Sequence, residues 1–378
     1  MAQYFFAVGT SRRKIVKRFR IKILRAVVVV KSLFYQSHFS YGYALEILIE
    51  PISRFLENYV RSLGPLFVGF LMSMMGIVIV MGYTIIVPYE WIRTSTPKIV
   101  VYFVSGHWLL INTLFHYWMG WITPPGFLPK GHLIPEAVSM CKQCISPKPP
   151  RTHHCRICNR CILKMDHHCP WLNQCIGHYN HRYFYLCMAY MWLGCIYIAW
   201  GTCWAFSEHY GNTSEATAPW CTAMTDVLFY AKYACAESKT SDTELVTVVF
   251  NDPEADVDVT VGAGVHNCIL FIFFASVAMV IGLAGLLAWH TWLISRGETS
   301  IEQHINAATR KHFAKDGKVY RNPYNFGFKQ NWRLFLGTNE RGRSFITHVL
   351  LPSAHKPQGN GLSWTCATYQ LEDKNIMI

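Results

Sequence analysis

Charge is scarce in this chain. Only 15% of its 378 residues are Asp, Glu, Lys or Arg, against about a quarter in soluble domains, so a soluble globular class is excluded. Acidic residues are the scarcer kind, 22 against 35 basic ones, which leaves a net charge of +13. No P-loop or other Gly-rich phosphate motif occurs, consistent with chemistry that needs no nucleotide energy source. Neither a recognition helix nor an RNA-binding motif is evident, and the basic residues are spread over loops that flank apolar runs. Nucleic acid is therefore not expected as a partner. No internal repeat is visible. The N-terminal residues lack the long apolar core and small-residue cleavage site of a signal peptide, and the C-terminus lacks a Lys-Asp-Glu-Leu ending.

Apolar residues take the place of charge: 52% of the chain is hydrophobic and 15% aromatic. Four long runs account for it, at 66–88, 99–122, about 183–206 and 268–294. Each exceeds the roughly 20 residues that cross a bilayer core as helix. Gly, Trp and Tyr gather near their ends, as in membrane spans. His107 and His116 lie inside the second run, nine residues apart and so on different helical faces, and are expected as neutral residues bonded to a neighbouring helix. Before the first run, Arg12, Arg13, Lys14, Lys17, Arg18, Arg20, Lys22 and Arg25 precede a short apolar stretch. That pattern fits an interfacial segment on an anionic leaflet.

Residues 141–182 hold seven of the fourteen cysteines, six histidines and a single carboxylate, Asp166. Two-residue gaps separate Cys141 from Cys144, Cys155 from Cys158, and Cys158 from Cys161. Such gaps let paired thiolates reach one zinc ion, with His154 or His168 available to complete a tetrahedral set. Two sites need about eight ligands, which leaves at least one Cys or His over. The strongest candidate is Cys169. In an extended strand residues i and i+2 share a face, so His167 can reach its sulfur, with Asp166 adjacent to fix the imidazole tautomer. On spacing alone, nucleophile and further metal ligand both remain open.

The whole block resembles the DHHC family of integral-membrane protein acyltransferases. The likeness runs from C-x2-C through Lys148-Pro149-Pro150-Arg151 and His154-Cys155-x2-Cys158-x2-Cys161. It continues through Asp166-His167-His168-Cys169-Pro170-Trp171 to Cys175, Gly177 and Asn180. The resemblance implies two structural zinc ions, one on Cys141, Cys144, His154 and Cys161, the other on Cys155, Cys158, His168 and Cys175. It implies Cys169 as the acyl-accepting nucleophile, His167 as its base and Asp166 as the orienting acid. Palmitoyl-coenzyme A would be the donor, with Lys148, Arg151 and His153 near its head group and Trp171 at the mouth of the acyl cavity. Gly194 falls where the family limits chain length by side-chain bulk, so chains of C16 or longer would fit. Client proteins with membrane-proximal cytosolic cysteines and the lipid bilayer are the implied partners.

Two tail motifs extend the likeness. Thr299-Ser300-Ile301-Glu302 resembles the family's T-T-x-E, with Ser in place of the second Thr, and keeps a hydroxyl for the Asp166 region. Asn322-Pro323-Tyr324-Asn325-Phe326-Gly327, leading to Asn331-Trp332, resembles its C-terminal contact motif, in which Asn322 and Tyr324 would tie the tail to the catalytic domain. One departure is plain: Thr123-Pro124-Pro125-Gly126 stands where the family has Asp-Pro-Gly, so the carboxylate is lost.

The expected fold is an all-α polytopic membrane protein, four transmembrane helices with a small cytosolic two-zinc cysteine-rich domain between helices 2 and 3. Its parts would be a basic arm (1–65), helices 1 and 2 (66–122), the zinc-binding catalytic domain (123–182), helix 3 (183–206), an acidic loop (207–267), helix 4 (268–294) and a tail (295–378). Basic residues crowd the arm, the cysteine-rich block and the tail, whereas ten acidic residues face two lysines in the 207–267 loop. The termini and the block are therefore expected in the cytosol and the loop in the lumen, in the endoplasmic reticulum or Golgi. Cytosolic thiols stay reduced. The sequon Asn212-Thr213-Ser214 and a Cys221–Cys235 disulfide would suit the lumenal side. Residues 351–378 are polar and uneven and are expected to be flexible. The competing function is a membrane-anchored zinc module that serves as an interaction adaptor without catalysis.

Overall fold

The computed structural model describes residues 20–28, 30, 41–93, 95–129, 137–211, 263–367 and 376–377. The sequon and the Cys221 and Cys235 pair lie outside these. The chain divides into two units, Met1–Ser62 and Leu63–Ile378. In the first, residues 20–28 are helical and exposed. The second carries the bundle and the cysteine-rich block.

Four helices among the described residues are long and apolar enough to cross a membrane: Tyr59–Ile86, Thr96–Ile122, His181–Cys203 and Asn267–Ser295. The first is the C-terminal part of α1 (Tyr41–Met81) continued by a π-turn, Gly82–Ile86, before the short α2 (Val87–Arg93). The others are α3 (Thr96–Ile122), α4 (His181–Gly211) and α5 (Ala263–Ser295). Helix α4 packs against both α3 and α5. Polar side chains join them where hydrocarbon offers no water. Tyr197 donates to the Tyr102 carbonyl at 2.5 Å, Trp192 to that of Val280 at 3.1 Å, and Tyr185 lies 2.9 Å from the Thr291 hydroxyl. His107 bonds Tyr83 on the π-turn, the expected contact with a neighbouring helix. His116 differs from that expectation. It finds no hydrogen-bond partner and instead stacks on Tyr190, with ring centroids 5.6 Å apart and planes 6° from parallel.

Between α3 and α4 the chain folds into three short antiparallel hairpins. Strands β1 (Ser139–Cys141) and β2 (Ser146–Lys148) form the first, β3 (His153–Cys155) and β4 (Arg160–Ile162) the second, β5 (His167–Cys169) and β6 (Gln174–Ile176) the third. Each pairing register is the previous one moved on by 14 residues: Ser139↔Lys148, His153↔Ile162, His167↔Ile176. The turns repeat too, with Ile145, Asn159 and Asn173 all left-handed at φ near +50°. The block is thus a threefold repeat, which corrects the reading that no repeat exists. Identity survives only at the metal-type positions and a few neighbours, too few to show without the strand pairing.

Beyond α5 come α6 (Ser300–Lys315), α7 (Phe328–Leu336) and a π-turn, Ile346–Leu350. The π-turn docks on the bundle: Trp108 donates to the Leu350 carbonyl at 2.8 Å and Tyr190 to that of Val349 at 2.6 Å. Residues 351–367 then lie along the cysteine-rich block rather than hanging free. Arg182 donates to the carbonyls of Ser353 and His355 at 3.1 and 2.9 Å, and Tyr179 to that of Asn360 at 3.2 Å. The expected flexible tail is, over this stretch, a strap. Its affinity comes from backbone carbonyls, to which side-chain polarity is no guide.

Candidate active site

The repeat explains how the metal-type residues assemble. The first and second hairpins each supply a C-x-x-C pair, and the hairpin that follows supplies a His and a Cys that face each other across its ladder. Cys141 and Cys144 meet the cross-strand pair His154↔Cys161; Cys155 and Cys158 meet His168↔Cys175. Each set of four has its ligand atoms within 4.8 Å of one another. Sulfur separations are tighter, 3.6 Å for Cys144 and Cys161 and 3.5 Å for Cys158 and Cys175. Imidazole Nδ1 atoms stand 3.1 Å from Cys144 and 3.3 Å from Cys158. A zinc tetrahedron with bonds of about 2.3 Å to sulfur has edges of about 3.8 Å. Both groups fit zinc.

The third copy breaks the pattern. Cys169 occupies the position of Cys141 and Cys155, but Leu172 stands where Cys144 and Cys158 stand, and no fourth hairpin follows among the described residues. Cys169 therefore belongs to neither group, though it is 3% exposed. Strand alternation turns His168 toward the metal ligands and puts His167 and Cys169 together on the opposite face. His167 Nδ1 lies 2.6 Å from Asp166 Oδ2. Burial opposes protonation of His167, yet hydrogen bonds to Asp166 and Cys169 overcome it and push its pKa up to about 9. Burial likewise opposes ionisation of Asp166; His181 and the hydrogen bond from His167 outweigh it and hold the carboxyl well below its ordinary range. The bond to Asp166 leaves His167 Nε2 for the thiol.

The tail motifs lock this hairpin from behind. Thr299 and Glu302 form a reciprocal capping box at the start of α6. That cap presents the Ser300 amide to Asp166 Oδ1 at 2.7 Å and the Ser300 hydroxyl to Oδ2 at 3.1 Å. Glu302 is shared with Arg151, whose Nε and Nη2 donate to its two oxygens at 2.6 and 2.7 Å. Asn322 and Asn331 donate to the carbonyls of Arg296 and Ser295, both at 2.9 Å, and so tie the tail to the end of α5. Tyr324 lies under Arg151, its ring centroid 4.4 Å from the guanidinium carbon. Gly177 is needed for closeness: a Cβ there would sit 2.8 Å from the Leu163 and Pro125 carbonyls.

Arg151 also lines a cavity of about 570 Å³ with Lys164, His178, Arg182, Tyr324 and Trp364. Lys164 stands 5.6 Å from the Trp364 ring, and burial, with Arg151 nearby, brings its pKa down to about 8. His178 Nδ1, Arg182 Nη1 and Trp364 Nε1 have no hydrogen-bond partner among the described residues. Lys148 and His153 do not line this cavity. Trp171 is half-exposed beside Phe67, centroids 5.2 Å apart, and with Leu63, Leu66 and Phe70 walls a wholly apolar pocket of about 280 Å³. A Cβ on Gly194 would meet nothing within 4 Å. Lys164, Arg182 and Trp364 were not singled out from the sequence. The strap and hairpins that converge on them are far apart along the chain.

Four membrane-crossing helices with a two-metal Cys/His block between the second and third define a multi-pass zinc-binding membrane protein. The profile of the DHHC palmitoyltransferase family matches residues 135–307. Human "Palmitoyltransferase ZDHHC16" is 40% identical over 337 residues, covering 89% of this chain and 84% of its own. Zebrafish (Danio rerio) "Palmitoyltransferase ZDHHC16B" is 37% identical over 365 residues, covering 94% and 91%. "Probable protein S-acyltransferase 16" of Arabidopsis thaliana is 29% identical over 199 residues, about half of each chain. The chain belongs to the DHHC palmitoyltransferase family, enzymes that transfer palmitoyl groups to client proteins. Over most of its length the chain is similar to ZDHHC16, also called Abl-philin 2.

Proposed function

We propose that Cys169 is the residue that carries the acyl group, with His167 as its base and Asp166 as the group that orients His167. The observation that carries this reading is the 2.6 Å contact of Asp166 with His167 on the face of β5 that also bears Cys169. His167 takes the thiol proton through Nε2, and the sulfur attacks the thioester carbonyl of palmitoyl-coenzyme A. The coenzyme thiolate leaves and recovers that proton. In the second half-reaction a client cysteine gives its proton to His167 and its sulfur attacks the acyl group on Cys169, which departs as thiolate. One thioester replaces another at each step, so no nucleotide is spent. Zinc, when bound by the two Cys/His groups, supplies rigidity, since a closed four-ligand site has no open position.

Lys148, Arg151 and His153 are assigned to the donor's head group. For Arg151 the adjoining cavity supports this with cationic walls, unpartnered donors and aromatic faces for a phosphorylated nucleotide, whereas Lys148 and His153 lie outside it and rest on the family resemblance. Its carboxylate, Glu298, is already engaged by Asn306 and Arg310. Trp171 and Gly194 are assigned to the acyl chain, supported by the apolar pocket and the open space already described. The charge distribution supports a cytosolic block and termini, with clients presenting cysteines near that membrane face, in the endoplasmic reticulum or Golgi.

The test is purified protein incubated with labelled palmitoyl-coenzyme A. A hydroxylamine-sensitive label is expected on the wild type and absent from Cys169→Ser, with two zinc ions retained in both. Equal labelling of both proteins refutes Cys169 as the carrier. Labelling of neither favours the adaptor reading.

A further inference from the structure

Asp166, His181 and His290 converge from three elements behind the third hairpin: the residue before β5, the first turn of α4 and the last turns of α5. One ligand atom from each lies within 4.8 Å of the others. All three residues are buried, at 1%, 3% and 5% exposure. Both ring nitrogens of His181 and Nδ1 of His290 have no hydrogen-bond partner among the described residues. Leaving such buried groups unpaired is costly, so two of them aimed at one carboxylate call for an occupant. Two imidazoles and a carboxylate are the donor set of a borderline divalent metal with an open fourth position.

We propose that Asp166, His181 and His290 form a third, exchangeable site for a divalent transition metal of the zinc type, whose occupation stops acyl transfer. The spacing separates it from the two Cys/His groups. His290 Nδ1 is 4.0 Å from Asp166 Oδ2, whereas a tetrahedron of bonds near 2.0–2.1 Å has edges of about 3.4 Å. The protein must close on the ion, and the nearby Lys164 ammonium opposes it, so binding is weaker than at the thiolate sites. The consequence for activity follows from shared lone pairs. Asp166 Oδ2 already accepts from His167 at 2.6 Å and from the Ser300 hydroxyl at 3.1 Å. A metal on that oxygen displaces His167, which loses its orienting partner. This inhibitory step rests on the roles given above to Asp166 and His167; the binding step does not.

The experiment titrates the purified full chain, carrying its two tightly held zinc ions, with buffered free Zn2+. Bound zinc and the initial rate of acylation by palmitoyl-coenzyme A are followed together. A third equivalent is expected, and as it binds the rate falls about tenfold or more and returns when a mild chelator removes that equivalent alone. His290→Gln and His181→Gln should each weaken the third equivalent about 10–100-fold while retaining the first two, which also reports that they fold. Cys169→Ser should bind all three, so the site is tested even if Cys169 is not the acyl carrier. A stoichiometry of two in the wild type, or a third equivalent unchanged in both His variants, overturns the site. A third equivalent that leaves the wild-type rate unaltered overturns the inhibition.

Discussion

The backbone amide and hydroxyl of Ser300 both donate to the carboxylate of Asp166, at 2.7 and 3.1 Å. They come from the first turn of α6, more than a hundred residues downstream. Removing the hydroxyl with Ser300→Ala leaves the amide in place and withdraws one hydrogen bond to a charged group, a loss of about 1.5 kcal/mol. The acylation rate is expected to drop about tenfold with zinc content unchanged, and Ser300→Thr should restore most of it. Single-turnover acylation measures this. An unaltered rate in the Ala variant means the hydroxyl does not help hold Asp166.

Zinc removal should be selective. Cys158 belongs to the group that includes His168, the neighbour of His167, so Cys158→Ala is expected to lose one of two zinc ions and lower protein yield. Because structural zinc contributes folding energy outright, acylation should be lost with it. Metal analysis by mass spectrometry checks the count. A well-folded variant that still holds both ions contradicts the ligand assignment.

The Arg151–Glu302 pair is buried on both sides, with side chains 7% and 10% exposed. Glu302→Gln strands the guanidinium and is expected to cost about 3–5 kcal/mol of stability, read as a lower melting temperature. The pH dependence follows from the carboxyl. Burial opposes its ionisation, but Arg151 prevails and holds the Glu302 pKa below the ordinary value of 4.5. Its stabilisation is therefore complete above that value and fades as pH falls through the depressed one. Glu302→Gln should flatten this part of the acid-stability curve. A curve parallel to wild type below pH of about 4.3 would contradict the pairing.

Gly194 tests the acyl path. With open space where a Cβ would be, Gly194→Leu is tolerated sterically and should shift donor preference from C16 toward shorter chains. A change of about tenfold in the C16-to-C12 ratio corresponds to loss of one or two methylene contacts. Competition between labelled donors measures it. An unchanged ratio places Gly194 off the path.

The membrane-crossing helices and the metal-binding character of the cysteine-rich block were legible in the chain itself, while the allocation of ligands to two groups came from the family resemblance. Twenty-residue apolar runs have one outcome in a bilayer, and thiols spaced two apart are constrained by the metal they share. Short-range chemistry is written in consecutive residues. The surplus of one cysteine was legible too, but not the reason that Cys169 is the one left over. That required the ladder registers, which make it the unmatched third copy of Cys141 and Cys155 with Leu172 in its partner's place. The strap at 351–367, the cavity beside Lys164 and the meeting of His290 with His181 and Asp166 depend on contacts between segments about 110 to 200 residues apart. Those contacts use backbone carbonyls and buried imidazoles, which leave no periodic trace along the chain. Only packing the tail and α5 against the third hairpin brings them together.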